Sequence, residues 1–315
     1  MSAPWTANRG RGSEAAIRLM IWIALRLGRK PAYVVLHGIT VYFVLLAPRA
    51  RRASRDYLRR VLGRRPRLPD LYRHIWTFSC TLLDRVYILA GRDDVLNVDV
   101  AGGDAALSCF RGDRGCLVLG AHLGSFDVLR ALARRDGRIQ VRPMMYRDAP
   151  QTLDRVFESL NPEFWASVIP VGSTDSLLRA KDAVDGGQSV ALLGDRATPG
   201  DRAVACRLFG ETVWLPAGPL LVARALRIPV VLCFGIRTGW GRYRAHFETF
   251  ATAADLAPEG GRPDLEKWLQ QYADRLETHC RMAPYNWFNF YDYFDQPDPA
   301  DARAVPRRPV GAGGR

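Results

Sequence analysis

The sequence predicts an α/β fold in which helices flank a largely parallel mixed sheet, preceded by one or two hydrophobic helices that anchor the chain to a membrane. After residue 68, short apolar runs alternate with helical patterns, as in folds built from strand–helix–strand units. The chain has 315 residues, 48% hydrophobic and 24% charged, which suits a sizeable core and excludes wholesale disorder. Before residue 68, two apolar stretches stand beside a dense run of arginines.

The excess positive charge lies at the N-terminus. Residues 1–67 hold 15 Lys and Arg against Glu14 and Asp56, which accounts for the whole net charge of +13. Residues 68–315 hold 30 basic and 30 acidic side chains and are neutral. A nucleic-acid-binding enzyme more often carries basic surface on its body as well, so this distribution favours a membrane-surface anchor and no nucleic-acid partner.

Residues 15–27 and 31–47 are the two apolar stretches. The first contains Arg18 and Arg26, which lie on nearly the same side of a helix because they are eight residues apart. The second has 17 residues and no formal charge unless His37 is protonated. As a helix it would be roughly 25 Å long, just short of the ~30 Å hydrocarbon core of a bilayer. A marginal span, a re-entrant hairpin, a monotopic anchor and a buried soluble helix all fit this segment.

Residues 51–62 predict an amphipathic helix that lies on an anionic lipid surface. Its apolar stripe consists of Ala53, Tyr57, Leu58, Val61 and Leu62, and its basic face of Arg51, Arg52, Arg55, Arg59 and Arg60. Basic residues near such a surface contribute on the order of 1 kcal/mol each, and the positive-inside rule keeps them cytoplasmic. We therefore expect residues 1–67 to form a membrane anchor, residues 68–296 an α/β domain and residues 297–315 a disordered tail.

The α/β domain begins with a helix that Pro69 and Asp70 open and whose apolar residues keep helical spacing as far as Leu89. Strands are predicted at residues 95–100, 116–120, 139–146, 165–171, 188–193, 229–235 and 243–250. Helices are predicted at residues 104–111, 126–135, 151–160, 174–185 and 217–226. Apolar strands separated by helices favour parallel pairing.

The six cysteines form no C-x-x-C pair, so the sequence indicates neither a zinc site nor a redox motif. So few cysteines in a chain of this length do not make a disulfide scaffold, and a reducing compartment is expected. We interpret them as small core residues.

Residues 116–135, CLVLGAHLGSFDVLRALARR, carry the candidate catalytic residues. A buried strand ends at Gly120, His122 follows in a glycine-containing turn, and Asp127 falls in the first turn of the next helix. Sites in open α/β sheets gather outside the carboxyl ends of strands. From the helix, Asp127 can reach back to the imidazole, fix its tautomer and leave its other nitrogen as a general base. The alternative is that His122 only caps the helix and Asp127 only stabilises its N-terminus.

Gly124 and Ser125 lie in the same turn and are candidates for substrate binding. Backbone N–H groups of such a turn can donate to the oxyanion of a tetrahedral intermediate. The side chain of Ser125 is expected to cap the helix. A nucleophilic serine is the alternative, but the sequence has no G-x-S-x-G turn here.

Four blocks, in this order, resemble the lysophospholipid and lipid A acyltransferase superfamily. His122-x4-Asp127 resembles its first motif, Tyr146-Arg147 its Tyr-Arg motif, and Leu193-Gly194-Asp195-Arg196 its third motif. Phe209-Gly210, Pro216-Ala217-Gly218-Pro219, Ala223-Arg224 and Ile228-Pro229-Val230 resemble a block of the lipid A (lauroyl- and myristoyltransferase) branch. The resemblance covers roughly residues 15–290, including the hydrophobic-then-basic start.

The resemblance implies a glycerolipid-acyltransferase-like fold and a reaction without metal or redox cofactor. A fatty acyl group moves from an acyl thioester, on acyl carrier protein or CoA, to a hydroxyl of a lipid or glycolipid such as a lipid A (lipopolysaccharide) precursor. His122 would be the base, oriented by Asp127, while Arg147, Asp195 and Arg196 would bind substrate, the arginines through phosphate. The expected location is the bacterial inner (cytoplasmic) membrane, with the catalytic domain on the cytoplasmic face.

Three of these residues also have structural interpretations. Arg147 can be a surface ion-pair partner, and Asp195 and Arg196 can pair with each other within a loop. These alternatives need no substrate.

The C-terminal end departs from the lipid A branch, where a Trp is followed by basic residues. Residues 284–294 read PYNWFNFYDYF, without Arg or Lys. This segment either packs over the core or forms an acyl-pocket wall or interfacial belt. The aromatic ending resembles a branch associated with aryl-polyene-type lipids, so the acceptor need not be a lipid A precursor.

Two other functions fit the residues less well. A basic membrane- or nucleic-acid-binding protein without catalysis would explain the charge but not the His-x4-Asp pattern after a strand. A lipid hydrolase would use the same His-Asp pair to activate water instead of an acceptor hydroxyl.

Overall fold

The computed structural model describes residues 14–102, 104–110, 112–137, 139–146, 152–198, 200–256 and 264–296. The tail predicted at residues 297–315 lies outside these ranges. The helices are α1 (Glu14–Trp22), α2 (Arg29–Leu46), α3 (Pro48–Leu62), α4 (Leu68–Leu89), α5 (Asp104–Phe110), α6 (Asp127–Asp136), α7 (Thr152–Leu160), α8 (Pro162–Ser167), α9 (Ser176–Asp185), α10 (Gly218–Leu226), α11 (Ala253–Leu256) and α12 (Leu265–Met282). The strands are β1 (Asn97–Ala101), β2 (Leu117–Gly120), β3 (Val141–Tyr146), β4 (Ile169–Val171), β5 (Ser189–Leu193), β6 (Ala203–Leu208), β7 (Glu211–Pro216), β8 (Val230–Gly239) and β9 (Arg242–Ala251).

In the described part of the chain, seven strands form one mixed sheet in the order β1-β9-β8-β2-β5-β3-β4. The five strands from β8 to β4 in this order are parallel, β9 is antiparallel to β8, and β1 is parallel to β9. β6 and β7 form a separate antiparallel hairpin. The predicted α/β class with a largely parallel mixed sheet is confirmed.

The central strands are apolar on both faces because helices cover both sides of the sheet. Leu117 and Leu119 of β2 pack into a cluster with α3, α9, α10 and α12. Val118 packs into the opposite cluster with α5 and α6. All six cysteines are free thiols and five of them are buried, as expected of small core residues. These packed faces leave the carboxyl ends of the parallel strands at one edge, where loops meet.

The N-terminal helices pack against the rest of the chain. Tyr33 and Leu36 of α2 are buried in a cluster with Leu83 and Tyr87 of α4. Among the described residues, no single helix has both the length and the hydropathy of a membrane span; α2 and α3 reach them only as a pair, bent by 88°. The membrane anchor at residues 1–67 therefore stays a prediction.

The apolar stripe of α3 faces the protein rather than lipid. Its members Ala53, Tyr57, Leu58 and Val61 are buried. The ring of Tyr57 meets the edge of Trp287 with the centroids 5.1 Å apart. The predicted amphipathic helix is confirmed, but its predicted apolar contact with lipid is wrong, because the core of the α/β domain already covers that stripe. Its outer face carries the exposed side chains of Arg52, Arg55 and Arg59.

The predicted strand at residues 165–171 is half helix. Residues 162–167 form α8, and only Ile169–Val171 form β4. The helix begins here because Asn161 Oδ1 accepts a hydrogen bond from the N–H of Phe164 at 2.7 Å, with Pro162 in the first turn. The β6–β7 hairpin and α12 were not among the predicted elements.

Candidate functional site

The site is built where two neighbouring parallel strands end. β2 ends at Gly120 and β5 at Leu193, and these two residues are paired in the sheet register. His122 and Asp195 each follow two residues later, so the sheet places them side by side at its carboxyl edge.

His122 and Asp195 form a directed hydrogen-bonded pair. Asp195 is fully buried, and its Oδ1 lies 2.8 Å from His122 Nδ1. The backbone N–H of His122 donates to Oδ2 of the same carboxylate at 3.1 Å. Because a carboxylate can only accept, Nδ1 carries the hydrogen and Nε2 is left with its lone pair. Nε2 has no hydrogen-bond partner within the described ranges, and the imidazole lines a cavity.

The predicted hydrogen bond between Asp127 and His122 is wrong. Asp127 begins α6, and its Oδ2 instead lies 3.4 Å from Nε of Arg85 on α4. The turn between β2 and α6 directs the imidazole toward Asp195, which follows β5, rather than toward the helix. Asp127 still lines the cavity, but it is a partner of Arg85 and not of the histidine.

The aromatic C-terminal segment surrounds Asp195. Trp287 Nε1 donates to Asp195 Oδ2 at 2.9 Å, and Asn289 Nδ2 lies 3.3 Å from the same oxygen. The hydroxyl of Tyr293 donates to the Asp195 carbonyl at 2.7 Å. The N–H of Phe288 donates to the His122 carbonyl at 2.8 Å, which ties the segment to the turn itself. Residues 284–294 thus pack over the core and also fix the geometry of the pair.

The pKa values of Asp195 and His122 are both lowered, for different reasons. Burial opposes ionisation of Asp195, but the charge and hydrogen bond of His122, together with Arg196, outweigh it and hold the pKa of the carboxyl well below its ordinary value. Desolvation, followed by the charge of Arg196, lowers the pKa of His122 below its ordinary value, although Asp195 acts in the opposite direction. Both shifts favour a carboxylate beside a neutral imidazole, the state that a general base requires.

The turn after His122 is fixed by its backbone. Gly124 has a φ of +71°, and a Cβ there would lie 1.9 Å from the carbonyl oxygen of Gly235. The N–H of Gly124 donates to the Asn286 carbonyl and that of Ser125 to the Gly235 carbonyl, at 2.7 and 2.8 Å. The predicted oxyanion donors are thus already used within the protein.

Ser125 does not cap α6. The residue at the cap position is Phe126, and no side chain makes a capping bond there. Ser125 is 97% buried, lines the cavity, and its Oγ has no hydrogen-bond partner in the described part of the chain. A buried hydroxyl without a partner is rare in folded proteins, and here it is adjacent to space that a substrate can fill.

Arg196 is held in place by the aromatic segment. Its Nε donates to Asn289 Oδ1 at 2.7 Å and its Nη2 to the Phe288 carbonyl at 2.9 Å. It also lines the cavity and acts electrostatically on both His122 and Asp195. The predicted substrate-binding residue Arg147 lies outside the described residues.

A cavity of about 660 Å³ opens beside His122. Its wall is largely apolar and includes Phe78, Leu82, Leu129, Met144, Phe164 and Phe290. Its polar lining includes Arg85, Asp127, Arg130, Glu163 and Arg196. Such a cavity can accommodate an apolar chain that carries a polar head group.

Trp287 and Asn289 are site residues that the sequence did not single out. The sequence did contain an indication of their importance, since residues 284–294 are aromatic where the lipid A branch has a Trp followed by basic residues. What the sequence lacked was the position of this segment on the carboxyl edge of the sheet, where it contacts Asp195.

The comparisons with known proteins bear on this arrangement. The family model for bacterial lipid A biosynthesis acyltransferases matches residues 85–295, more than half of the chain and the whole of the sheet. No curated protein matches the sequence significantly. The chain therefore belongs to the bacterial lipid A biosynthesis acyltransferase family, whose members' name implies acyl transfer to a lipid.

Proposed function

We propose that this protein is a membrane-associated O-acyltransferase. It transfers a fatty acyl group from an acyl thioester, carried on acyl carrier protein or CoA, to a hydroxyl of a lipid or glycolipid. One observation carries the proposal: a histidine, held through Nδ1 by a buried carboxylate, lies in the wall of a largely apolar cavity. Lipid A specificity and the aryl-polyene association stay predictions from the sequence.

In the proposed reaction, His122 Nε2 removes the proton of the acceptor hydroxyl while its oxygen attacks the thioester carbonyl. Asp195 stabilises the imidazolium that forms, through the hydrogen bond to Nδ1. The tetrahedral intermediate collapses, the carbon–sulfur bond breaks, and the proton on Nε2 passes to the departing thiolate. General acid–base help of this kind is worth about 10²–10⁴-fold in rate.

The proposal is tested by incubating purified protein with labelled acyl-acyl carrier protein and total bacterial membrane lipid, and then identifying the labelled product. The His122→Ala variant is expected to lose transfer by at least about 10²-fold, because it lacks the base that the proposed mechanism uses for the hydroxyl proton. Circular dichroism checks that the variant is folded. Full transfer by His122→Ala would contradict the mechanism, and labelled free fatty acid as the sole product would favour a hydrolase.

We further propose that Ser125 Oγ donates a hydrogen bond to the oxyanion of the tetrahedral intermediate. Its burial without a partner supports this role, and the neighbouring backbone N–H groups are already engaged. Loss of one such donor costs about 10²–10³-fold in kcat, and we expect Ser125→Ala to fall in or just below that range with little change in KM.

Ser189→Ala is the matched control for Ser125→Ala. Ser189 is also buried, at the start of the central strand β5, but its Oγ accepts from the N–H of Cys116 at 3.1 Å, away from the cavity. Its loss is expected to alter thermal stability and not kcat. A Ser125→Ala enzyme with wild-type kcat would exclude the oxyanion role.

The proposed membrane contact is an apolar surface on α1 and α2. Its exposed side chains are Leu19, Trp22, Val34, Val41, Tyr42, Leu45 and Leu46. Exposed arginines follow at once, beyond the bend between α2 and α3: Arg49, Arg52 and Arg55. An apolar surface bordered by arginines suits insertion into the headgroup region of an anionic leaflet. We infer that the catalytic domain lies on the cytoplasmic face of the bacterial inner membrane.

Membrane binding is tested with point variants rather than truncation, since α3 belongs to the core. The triple variant Val34→Glu, Leu45→Glu, Leu46→Glu is expected to reduce co-flotation with phosphatidylglycerol vesicles about tenfold or more, because it places three charges in the apolar surface. The control is Leu177→Glu with Leu178→Glu, two comparably exposed leucines on α9. If the triple variant and the α9 control co-floated with vesicles to the same extent, the membrane contact would lie elsewhere.

A further inference from the structure

Two arginines in the cavity wall do not complete their hydrogen bonding. Arg85 comes from α4 and Arg130 from α6, two helices that pack together. Neither guanidinium makes a hydrogen bond within the described ranges, and Arg85 Nε and Arg130 Nη1 are both buried without a hydrogen-bond partner. Arg130 also forms no ion pair there; its guanidinium carbon lies 4.3 Å from the ring centroid of Phe164. Arg85 stacks in the same way on Phe157, at 4.9 Å.

The neighbouring arginine on the same helix behaves differently. Arg134, one turn beyond Arg130, donates to the Ile88 carbonyl at 2.8 Å and to Asp93 at 2.6 Å. It does not line the cavity. Within α6, the unused donors therefore belong to the arginine that lines the cavity and are not a general property of this basic helix.

The side chains that line the cavity carry more positive than negative charge. Asp127 faces Arg85, with Nε and Oδ2 3.4 Å apart, and Glu163 also lines the cavity. Against these two carboxylates stand three guanidinium groups, those of Arg85, Arg130 and Arg196. Arg196 already donates to the aromatic segment, so Arg85 and Arg130 hold the donors that remain for a ligand.

Burial of a cation without a counter-charge is costly, and Arg130 shows that cost. Desolvation, followed by the charge of Arg134, lowers the pKa of its guanidinium, with Arg85 acting in the same direction and Asp127 against it. An anion bound between the two arginines would remove this penalty. A guanidinium group presents paired N–H donors, which match the oxygens of a phosphate.

We propose that Arg85 and Arg130 form a phosphate-binding site in the cavity wall, separate from the His122–Asp195 pair. This inference rests on the proposed function for its ligand, a phosphate group carried by one of the two substrates. Either the phosphopantetheine of the acyl donor or a phosphate on the lipid acceptor can supply it.

The first experiment measures binding without turnover. Inorganic phosphate is titrated calorimetrically into wild-type protein, Arg130→Gln and the control Arg134→Gln. We expect Arg130→Gln to bind about tenfold more weakly or worse, and Arg134→Gln to bind as wild type. Equal binding by all three proteins would overturn the proposal. Arg130-dependent phosphate binding in a protein that transfers no acyl group would support the site and refute the proposed function.

The second experiment identifies the source of the phosphate. KM is compared for acyl-CoA and for the acyl thioester of N-acetylcysteamine, which has no phosphate. If the donor supplies the phosphate, Arg130→Gln raises KM for acyl-CoA alone; if the acceptor supplies it, KM for the acceptor rises with both donors. Arg130→Lys, which keeps the charge but loses the paired donors, is expected to recover part of the loss. Unchanged KM values for both donors and the acceptor would overturn the substrate assignment.

Discussion

Replacement of Asp195 by Asn is expected to reduce acyl transfer by about 10³–10⁴-fold while leaving the fold intact. Asn keeps the size of the side chain, but its amide can donate to Nδ1 and so favours the imidazole tautomer with the hydrogen on Nε2, which cannot act as a base. It also removes the negative charge that stabilises the imidazolium. The effect should appear in kcat, measured with labelled acyl-acyl carrier protein, and not in the affinity for either substrate.

Asp127→Asn is the matched control, because the sequence alone assigns that carboxylate to the same role. The structure pairs Asp127 with Arg85 instead, with 3.4 Å between Oδ2 and Nε. Its loss should therefore raise KM more than it lowers kcat. If Asp127→Asn lost kcat as deeply as Asp195→Asn, or if Asp195→Asn kept full activity, the assignment of Asp195 to His122 would be refuted.

The sequence located the histidine but not its partner. His122 follows a buried apolar strand, and that local pattern is enough to place it at a sheet edge. The carboxylate five residues later was the nearest candidate, whereas Asp195 is 73 residues away. Only the adjacency of β2 and β5, with Gly120 paired to Leu193, brings His122 and Asp195 together. Strand order is a long-range property that periodicity does not encode.

The wrong prediction that the apolar stripe of α3 contacts lipid has the same cause: long-range contacts are not visible in a local pattern. A stripe of apolar residues beside a face of arginines is the pattern of a helix on lipid and also that of a helix on a protein core. What distinguishes the two cases is contact with distant parts of the chain. Tyr57 contacts Trp287 and Phe209, and Val61 lies in the same buried cluster. By contrast, the start of helix α8 could have been predicted from the local sequence. Asn161 and Pro162 form a helix start signal that outweighs the apolar run after them.

Replacement of Asp84 is expected to cause a large loss of stability. Asp84 lies on α4, is fully buried, and its Oδ1 accepts from Arg29 Nη2 of α2 at 2.5 Å. Its Oδ2 accepts from the buried hydroxyl of Tyr243 on β9 at 2.8 Å. Arg237 Nε of β8 lies 3.7 Å from the same oxygen. One carboxylate therefore balances two largely buried guanidinium groups and joins an N-terminal helix to the sheet.

Asp84→Ala leaves both largely buried arginines without this counter-charge, and loss of one partner from such a network costs about 3–5 kcal/mol of unfolding free energy. Asp84→Asn should cost less, because it keeps an acceptor for Tyr243. The control is Asp185→Ala on the surface, where Asp185 pairs with Arg114 at 2.7 Å and solvent replaces the lost contact with little effect. Urea unfolding, monitored by circular dichroism, measures all three variants. Because Arg29 begins α2, an Asp84→Ala protein that unfolds like wild type would mean that α2 is held to the body by its apolar contacts alone.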